Sequence, residues 1–167
     1  SYVAALSFIQ DEWGLNNAQA GAVYSAYLAG YVVSALLIVP LTDRFEPKDI
    51  VIGPAVISVG AHLPFPLAAD DVVTGVLLRA VAGLGLVGVY MPGLRVVAER
   101  FSGGGRGTAI GLYVSAQYGA NAASLAITGA LMAFLDWREA YLLVSAVAVL
   151  GLPVAYVLLR GYRVGSA

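Results

Sequence analysis

Polar side chains recur every four residues within an otherwise apolar stretch of the sequence. Tyr113, Gln117 and Asn121 share this spacing between positions 107 and 134, and side chains at i and i+4 lie on one face of a helix. An amide in hydrocarbon is costly unless it meets a polar partner or water. The stripe therefore predicts either the wall of a polar cavity that binds a small solute, or hydrogen bonds between neighbouring helices.

A second apolar stretch contains an arginine. Arg79 lies about two turns into the segment 72–98, where an arginine costs from about 3 kcal/mol upward in a bilayer. One interpretation is a site that binds an anionic solute or takes part in proton coupling. The other is an arginine that reaches lipid headgroups or pairs with Asp70 or Asp71. The sequence leaves both open.

Other polar groups lie at helical spacing in the remaining apolar segments. Tyr24, Tyr27 and Tyr31 fall on one face of the apolar segment 18–41. This spacing predicts either a wall of hydroxyl groups or aromatic packing. His62 precedes Pro64 and Pro66. We expect it to pack or to bond the backbone at a kink, with proton coupling as the alternative.

Composition restricts the class of protein. Of 167 residues, 60% are hydrophobic and 11% are charged, whereas soluble domains carry about 25% charged residues. Mean hydropathy is +0.84, which predicts a membrane protein. The net charge of −1 gives no reason to expect a nucleic-acid partner. With no cysteine and a single histidine, we expect no metal site.

No catalytic or cofactor motif is present in the sequence. Gly103, Gly104 and Gly105 lack the lysine and the spacing of a phosphate-binding loop. The sequence also lacks the nucleophile and metal motifs of hydrolases. We therefore expect a protein that is not an enzyme and that binds no cofactor.

Apolar segments of membrane-spanning length define the predicted fold. A spanning helix needs about 20 residues, and the segments that meet this length are 18–41, 50–69, 72–98, 107–134 and 140–159. The shorter run 1–9 is expected to be the end of a helix whose beginning is missing. We predict an all-α, multi-pass transmembrane helix bundle that forms one domain over residues 1–167.

Small residues mark where these helices should pack. Membrane helices associate by close backbone approach, which small side chains allow. The candidate packing residues are Gly30, Gly83, Gly85, Gly111 and Gly119.

The distribution of basic residues predicts orientation. Lysine and arginine concentrate in the turns 42–49 and 99–106 and after residue 159, and such basic turns are typically cytoplasmic. The alternate turns are mainly acidic, and we place them outside. The expected location is a prokaryotic cytoplasmic, or inner, membrane.

The second and fifth predicted segments end alike. One ends in Leu-Thr-Asp43-Arg44-Phe and the other in Phe-Leu-Asp136-Trp-Arg138, on opposite sides of the predicted bundle. Two three-helix units of inverted orientation would produce this pattern, which is typical of secondary transporters.

Several motifs together carry a family resemblance. Residues 39–48 read V-P-L-T-D-R-F-E-P-K, in which Asp43, Arg44 and Lys48 match the turn motif G-x-x-x-D-R-x-G-R-[RK] of the major facilitator superfamily (MFS). The glycines of that motif are replaced by Val39 and Glu46. Arg79, Gly83 and Gly85 resemble the fourth-helix motif R-x-x-x-G-x-G of the same family. The chain resembles the amino-terminal six-helix half of such a transporter.

The resemblance implies half of an MFS fold, built as a 3+3 inverted repeat. It implies secondary active transport of a small solute by alternating access, with a second six-helix half or a partner membrane subunit and the lipid bilayer as partners. Asp43, Arg44 and Lys48 would form a cytoplasmic gate. The candidate cavity residues are Arg79, Gln117, Asn121, Tyr113, Tyr31 and Tyr27. The alternative is a half-length membrane subunit that docks on a larger complex and transports nothing.

Overall fold

The computed structural model describes residues 2–38, 47–101 and 103–159, and the side chains at 47–50, 88, 89, 155, 158 and 159 are left out of the description. Within these ranges the chain is helical and contains no strand. The helices are α1 Tyr2–Trp13, α2 Asn17–Ile38, α3 Pro47–His62, α4 Phe65–Ala68, α5 Val72–Arg100, α6 Arg106–Leu131 and α7 Trp137–Leu159, with a short 3₁₀ turn at Gly103–Gly105. The predicted all-α, multi-pass helix bundle is confirmed.

Four of the described segments are long and apolar enough to cross a membrane. They are Asn17–Ile38, Val51–Ala68, Val72–Arg100 and Trp137–Val154. Helix α6 is not among them, although its 26 residues would extend about 39 Å. Its amides, hydroxyls and glycines lower its apolar character, and this composition is what the polar stripe predicts for a helix that borders a cavity.

The chain between α3 and α5 differs from the single helix predicted over 50–69. Helix α3 ends at His62, and a new short helix begins after Pro64. Proline has no backbone N–H and therefore cannot continue the helical hydrogen bonds. The carbonyl of Pro64 instead accepts from the amides of Leu67 and Ala68, so the segment turns through α4 before α5 begins.

Side chains cap the helices at the end of the bundle that holds the acidic turns. At the start of α2, Asn16 Oδ1 accepts from the Gln19 amide and Gln19 Oε1 accepts from the Asn16 amide. At the start of α5, Asp71 Oδ1 accepts from the Thr74 amide at 2.8 Å, which lowers the pKa of the Asp71 carboxyl. Such reciprocal caps satisfy amides that a helix leaves unpaired at its first turn.

Helix α5 packs mainly against α2 and α3, and glycines lie where the backbones touch. A Cβ atom on Gly30 would overlap the Ala80 carbonyl oxygen of α5. A Cβ atom on Gly83 would overlap the Tyr27 carbonyl oxygen of α2. Only glycine permits these approaches, so the two residues set the distance between α2 and α5.

The contact between α3 and α5 combines a glycine with a side-chain hydrogen bond. A Cβ atom on Gly85 would overlap the Pro54 carbonyl oxygen. Close by, Ser58 Oγ donates to the Ala82 carbonyl at 3.2 Å. Small residues and hydroxyl groups are the usual means by which membrane helices adhere.

The predicted packing glycines of α6 lie in a different environment. Cβ atoms on Gly111 and Gly119 would meet nothing within 4 Å, and both residues are exposed. Helix α6 makes few contacts with α1, α5 and α7. Its glycine face is therefore open within the described part of the chain.

An ionic cluster, which we call the outer clasp, joins α1, α7 and the turn before α5. Arg138 Nη2 lies 2.6 Å from Glu12 Oε1 and 2.9 Å from Asp70 Oδ1. Trp137 Nε1 donates to the other Glu12 oxygen, and Arg138 Nη1 donates to the Pro66 carbonyl. Hydrogen bonds from Arg138 and Trp137 hold the pKa of Glu12 below its ordinary value. The acidic turns thus meet at one end of the bundle, as the predicted orientation requires.

Candidate functional site

A cavity of about 540 Å³ opens between the helices, and polar side chains form much of its wall. Its wall draws on α1, α2, α3, α5, α6 and α7. The polar side chains that line it are Tyr2, Tyr24, Tyr27, Ser58, His62, Arg79, Gln117, Asn121, Ser124 and Ser145. The size falls within the range of small-molecule sites.

Arg79 is the buried cation of this cavity. It is only 5% exposed, and its guanidinium carbon lies 4.5 Å from the ring centroids of both Tyr2 and Tyr27. A guanidinium within about 6 Å of an aromatic face is attracted by the ring, by about 2 kcal/mol where water is excluded. The two rings therefore offset part of the cost of burying the charge.

The hydrogen-bonding capacity of Arg79 is only partly used. Nη1 lies 3.5 Å from the Tyr141 hydroxyl, at the outer limit of a hydrogen bond, and the buried Nε has no partner among the described residues. The ion pairs found in that part of the chain do not include Arg79. Asp70 binds Arg138, and Asp71 caps α5. Arg79 thus points at neither of the carboxylates that the sequence offered as partners.

The packing of α2 on α5 positions this cation. On α5, Arg79 lies one turn before Gly83, and on α2, Tyr27 lies one turn before Gly30. Since Gly83 touches the backbone of Tyr27 itself, the close approach brings the Tyr27 ring over the guanidinium. The glycines of the fourth-helix motif therefore act on the site through the position of an aromatic ring.

The amide stripe of α6 lines the same cavity. Gln117 is half-buried and Asn121 is exposed, and both belong to the wall. Ser124, which lies seven residues after Gln117, continues this face into the cavity. Two predicted cavity residues on α6 are thereby brought to the side of Arg79.

Tyr113 lies away from the cavity. Its ring stacks on Tyr90 at 5.8 Å, and its hydroxyl donates to the Tyr90 carbonyl at 3.1 Å. In a helix of 3.6 residues per turn, each step of four residues rotates about 40° beyond a full turn. Tyr113 is therefore displaced by about 80° from Asn121 around α6 and meets α5 instead.

Only some of the predicted tyrosines of α2 reach the cavity. Tyr24 and Tyr27 line it, and Tyr31 does not. The Tyr31 amide nitrogen lies 3.0 Å from the Cβ position of Gly83, at the crossing with α5. Helices that touch there leave no space for a cavity.

Most of the predicted gate falls outside the residues that the structure describes. Asp43 and Arg44 are outside the described residues. Lys48 falls in the first turn of α3, and its side chain is outside the description. The gate assignment therefore stays a prediction.

Several wall residues were not chosen from the sequence. Tyr2 belongs to the short first segment, and Ser58 and Ser145 look like ordinary small residues of spanning helices. The one available signal concerned Ser124, because it extends the spacing of Gln117 and Asn121 by a further turn. Within the described residues, no cluster of histidine and acidic side chains could hold a metal ion.

The sequence of the chain is similar to those of two proteins named as transporters. Over 103 residues the chain is 37% identical to the 4-hydroxybenzoate transporter PcaK of Pseudomonas putida, an alignment that covers 59% of this chain and 22% of that protein. Over 145 residues it is 30% identical to the probable sulfoacetate transporter SauU of Cupriavidus necator, covering 87% of this chain and 34% of that protein. The chain thus spans about a third or less of the length of either relative.

The family comparison covers nearly the whole sequence. The model of the Major Facilitator Superfamily matches residues 1–166. The match agrees with the multi-pass helix bundle and with the turn and fourth-helix motifs. The chain belongs to the Major Facilitator Superfamily.

Proposed function

We propose that this chain is the amino-terminal half of a secondary transporter that carries a small organic anion by alternating access. The single observation that carries the proposal is Arg79, a buried guanidinium with an unpartnered Nε at a cavity wall. A buried charge is costly unless it is paired. An anionic solute would supply the missing pair.

The names of the two relatives support the anionic class of solute. 4-Hydroxybenzoate and sulfoacetate are both organic acids that are ionised near neutral pH. They share a carboxylate and differ in the group at the other end. A site with one fixed cation and neutral polar walls suits such molecules, because the cation binds the acid group while the walls select the remainder.

Gln117 and Asn121 would make the selective contacts. Neutral amides both donate and accept hydrogen bonds, so they can bind hydroxyl or sulfonate groups without adding charge. Ser124 and Ser145 extend this neutral surface. Tyr27 would hold the guanidinium in place and would contact the solute with its ring edge.

The rest of the transporter would complete the cavity. We assign the open face of α6, with Gly111 and Gly119, to the contact with the second six-helix half, because glycines with nothing within 4 Å permit another helix to approach. Asp43, Arg44 and Lys48 would form the cytoplasmic gate. A half-length docking subunit has less support, since both relatives are named as transporters.

Binding of anions to the purified complete protein tests the proposal. A charge-assisted hydrogen bond contributes about 1.5–3 kcal/mol, so Arg79→Gln should raise the Kd of a bound organic anion by roughly 10–150-fold. Arg79→Lys should fall between the two. Arg106→Gln, which removes an exposed arginine at the start of α6, is the matched control and should leave the Kd unchanged.

The same titrations can also contradict the proposed function. An Arg79→Gln protein that binds 4-hydroxybenzoate or sulfoacetate as tightly as the parent would remove Arg79 from the site. Tight binding of an uncharged analogue, with no preference for the acid, would argue against an anion carrier. Uptake into proteoliposomes, measured with the same solutes, distinguishes transport from binding alone.

A further inference from the structure

His62 is a cavity residue that the proposed function does not use. It is the one histidine of the sequence and lies at the last position of α3. Its ring lines the same cavity as Arg79. Histidine is the side chain whose charge most readily changes near neutral pH, so its presence beside a fixed cation has consequences for what the cavity can hold.

The backbone fixes the proton arrangement of the His62 ring. Nδ1 lies 2.9 Å from the Ser58 carbonyl oxygen. A carbonyl only accepts, so Nδ1 carries a hydrogen in the neutral and in the charged ring alike. A proton is therefore gained and lost at Nε2.

His62 and Arg79 both contact the ring of Tyr27. The His62 and Tyr27 rings meet edge to face, with centroids 6.2 Å apart, and the Tyr27 ring centroid lies 4.5 Å from the guanidinium carbon. Burial of the His62 ring disfavours its charged form. A second positive charge beside Arg79 would also be repelled, and low-dielectric surroundings strengthen that repulsion. Burial and repulsion together favour neutral His62 in the empty cavity.

The groups that surround His62 carry little other charge. From the neighbouring helices the cavity wall contains the phenol side chains of Tyr2 of α1 and of Tyr24 and Tyr27 of α2. Helix α5 contributes Arg79, and α6 contributes only amides and hydroxyls. No carboxylate lines the cavity in the described ranges. Against the constant effect of burial, Arg79 and a bound solute are therefore the charges that would change the protonation of His62.

We infer that His62 takes up one proton from solution at Nε2 when an organic anion binds beside Arg79, so that solute and proton occupy the cavity together. The inference rests on the proposed anion site. Binding of the anion cancels the repulsion from Arg79 and adds an attraction to the imidazolium. When the anion leaves, the proton returns to solution from the same nitrogen.

The thermodynamic linkage between anion binding and proton uptake gives the expected dependence of affinity on pH. If binding takes up one proton, affinity rises up to tenfold for each unit by which the pH falls. The solutes 4-hydroxybenzoate and sulfoacetate keep their carboxylates ionised between about pH 6 and about pH 8, since carboxyl groups titrate near about pH 4. A slope in that range therefore reports the protein rather than the solute.

Calorimetric titration of the complete protein with these two anions, in buffers of different ionisation enthalpy, counts the protons taken up. We expect up to one proton per bound anion in the parent. In His62→Gln we expect binding with no proton uptake and no pH slope. Ser7→Ala, at an exposed residue of α1 outside the cavity wall, is the matched control and should keep both the proton uptake and the pH slope.

The possible results distinguish a failure of the proposed role of His62 from a failure of the proposed anion site. A parent protein that binds anions without proton uptake, or a His62→Gln protein that retains it, overturns the role of His62 and leaves the anion site standing. A parent that binds neither anion overturns both. If His62→Gln fails to fold, His62→Asn and the proton count of the parent decide in the same way.

Discussion

Replacing Gly83 with alanine tests whether the close contact between α2 and α5 builds the site. The new Cβ atom would overlap the Tyr27 carbonyl oxygen and would lie only 3.0 Å from the Tyr27 carbonyl carbon and the Tyr31 amide nitrogen. Unstrained carbon contacts lie near about 3.5–4.0 Å, so the helices must separate by about 1 Å or shift in register. Because the oxygen belongs to helix backbone, no side-chain rotation relieves the clash.

The expected loss of stability in Gly83→Ala follows from a comparison with Gly60→Ala. Overpacking of this kind costs about 1–3 kcal/mol, whereas alanine gains about 1 kcal/mol over glycine in a helix. Gly60→Ala, on α3, receives the same gain with nothing within 4 Å of its Cβ position. The Gly83→Ala protein should therefore unfold about 1–3 kcal/mol more readily than Gly60→Ala, or roughly 2–12 °C lower.

Thermal unfolding of both variants in detergent, followed by intrinsic tryptophan fluorescence, measures this difference. Anion affinity measured alongside should fall in Gly83→Ala, since the displaced Tyr27 ring no longer covers the Arg79 guanidinium. Equal melting temperatures for the two variants would refute the close approach of α2 and α5. Lower stability with unchanged anion affinity would refute the link between that contact and the site.

Two further predictions concern the ends of the bundle. Glu12→Gln should lower stability by about 1 kcal/mol at most, because the carboxylate is partly exposed and solvent screens its pairing with Arg138. Since the pKa of Glu12 is lowered in the folded protein, this contribution is complete above about pH 4.3 and is lost as the pH falls through the folded-state pKa. A profile of stability against pH measures the change, with Asp11→Asn, at the exposed neighbouring residue, as the matched variant. At the predicted cytoplasmic gate, Asp43→Asn should lower solute uptake by the complete protein in proteoliposomes while membrane insertion, judged by fractionation, is unchanged. Parental uptake by that variant would remove Asp43 from the gate.

The sequence predicted the fold well because the cost of exposed backbone in lipid allows few alternatives. Apolar segments of spanning length must be helices, and their lengths follow from the bilayer. The break at Pro64 was missed, because the residues on both sides are apolar and a single long helix fits their composition equally well. Local proline chemistry decided the outcome there.

The lining of the cavity could be predicted only in part, for geometric reasons. Arg79, Gln117 and Asn121 do line the cavity, and they were chosen because a polar side chain inside an apolar segment needs a polar partner or water; their role in binding stays a prediction. Tyr113 and Tyr31 were included on spacing, although spacing fixes the face of a helix and not which neighbour meets that face. His62 was expected to pack or to bond the backbone, and it does bond the Ser58 carbonyl. Its place in the cavity wall depends on how α3 packs against the neighbouring helices. No local pattern in a single sequence encodes that packing.

The surroundings of Arg79 stabilise a buried charge without pairing it, as the proposed anion site requires. A carboxylate beside the guanidinium would stabilise it but would also cancel its field and occupy its N–H groups. Aromatic faces attract the cation through their quadrupoles and accept no hydrogen bond in the plane of the guanidinium. Tyr2 and Tyr27 therefore reduce the cost of burial while the charge and the Nε donor stay unpaired among the described residues. If Arg79 binds the proposed anion, the glycine contact that brings Tyr27 to this position links helix packing directly to the affinity for that anion.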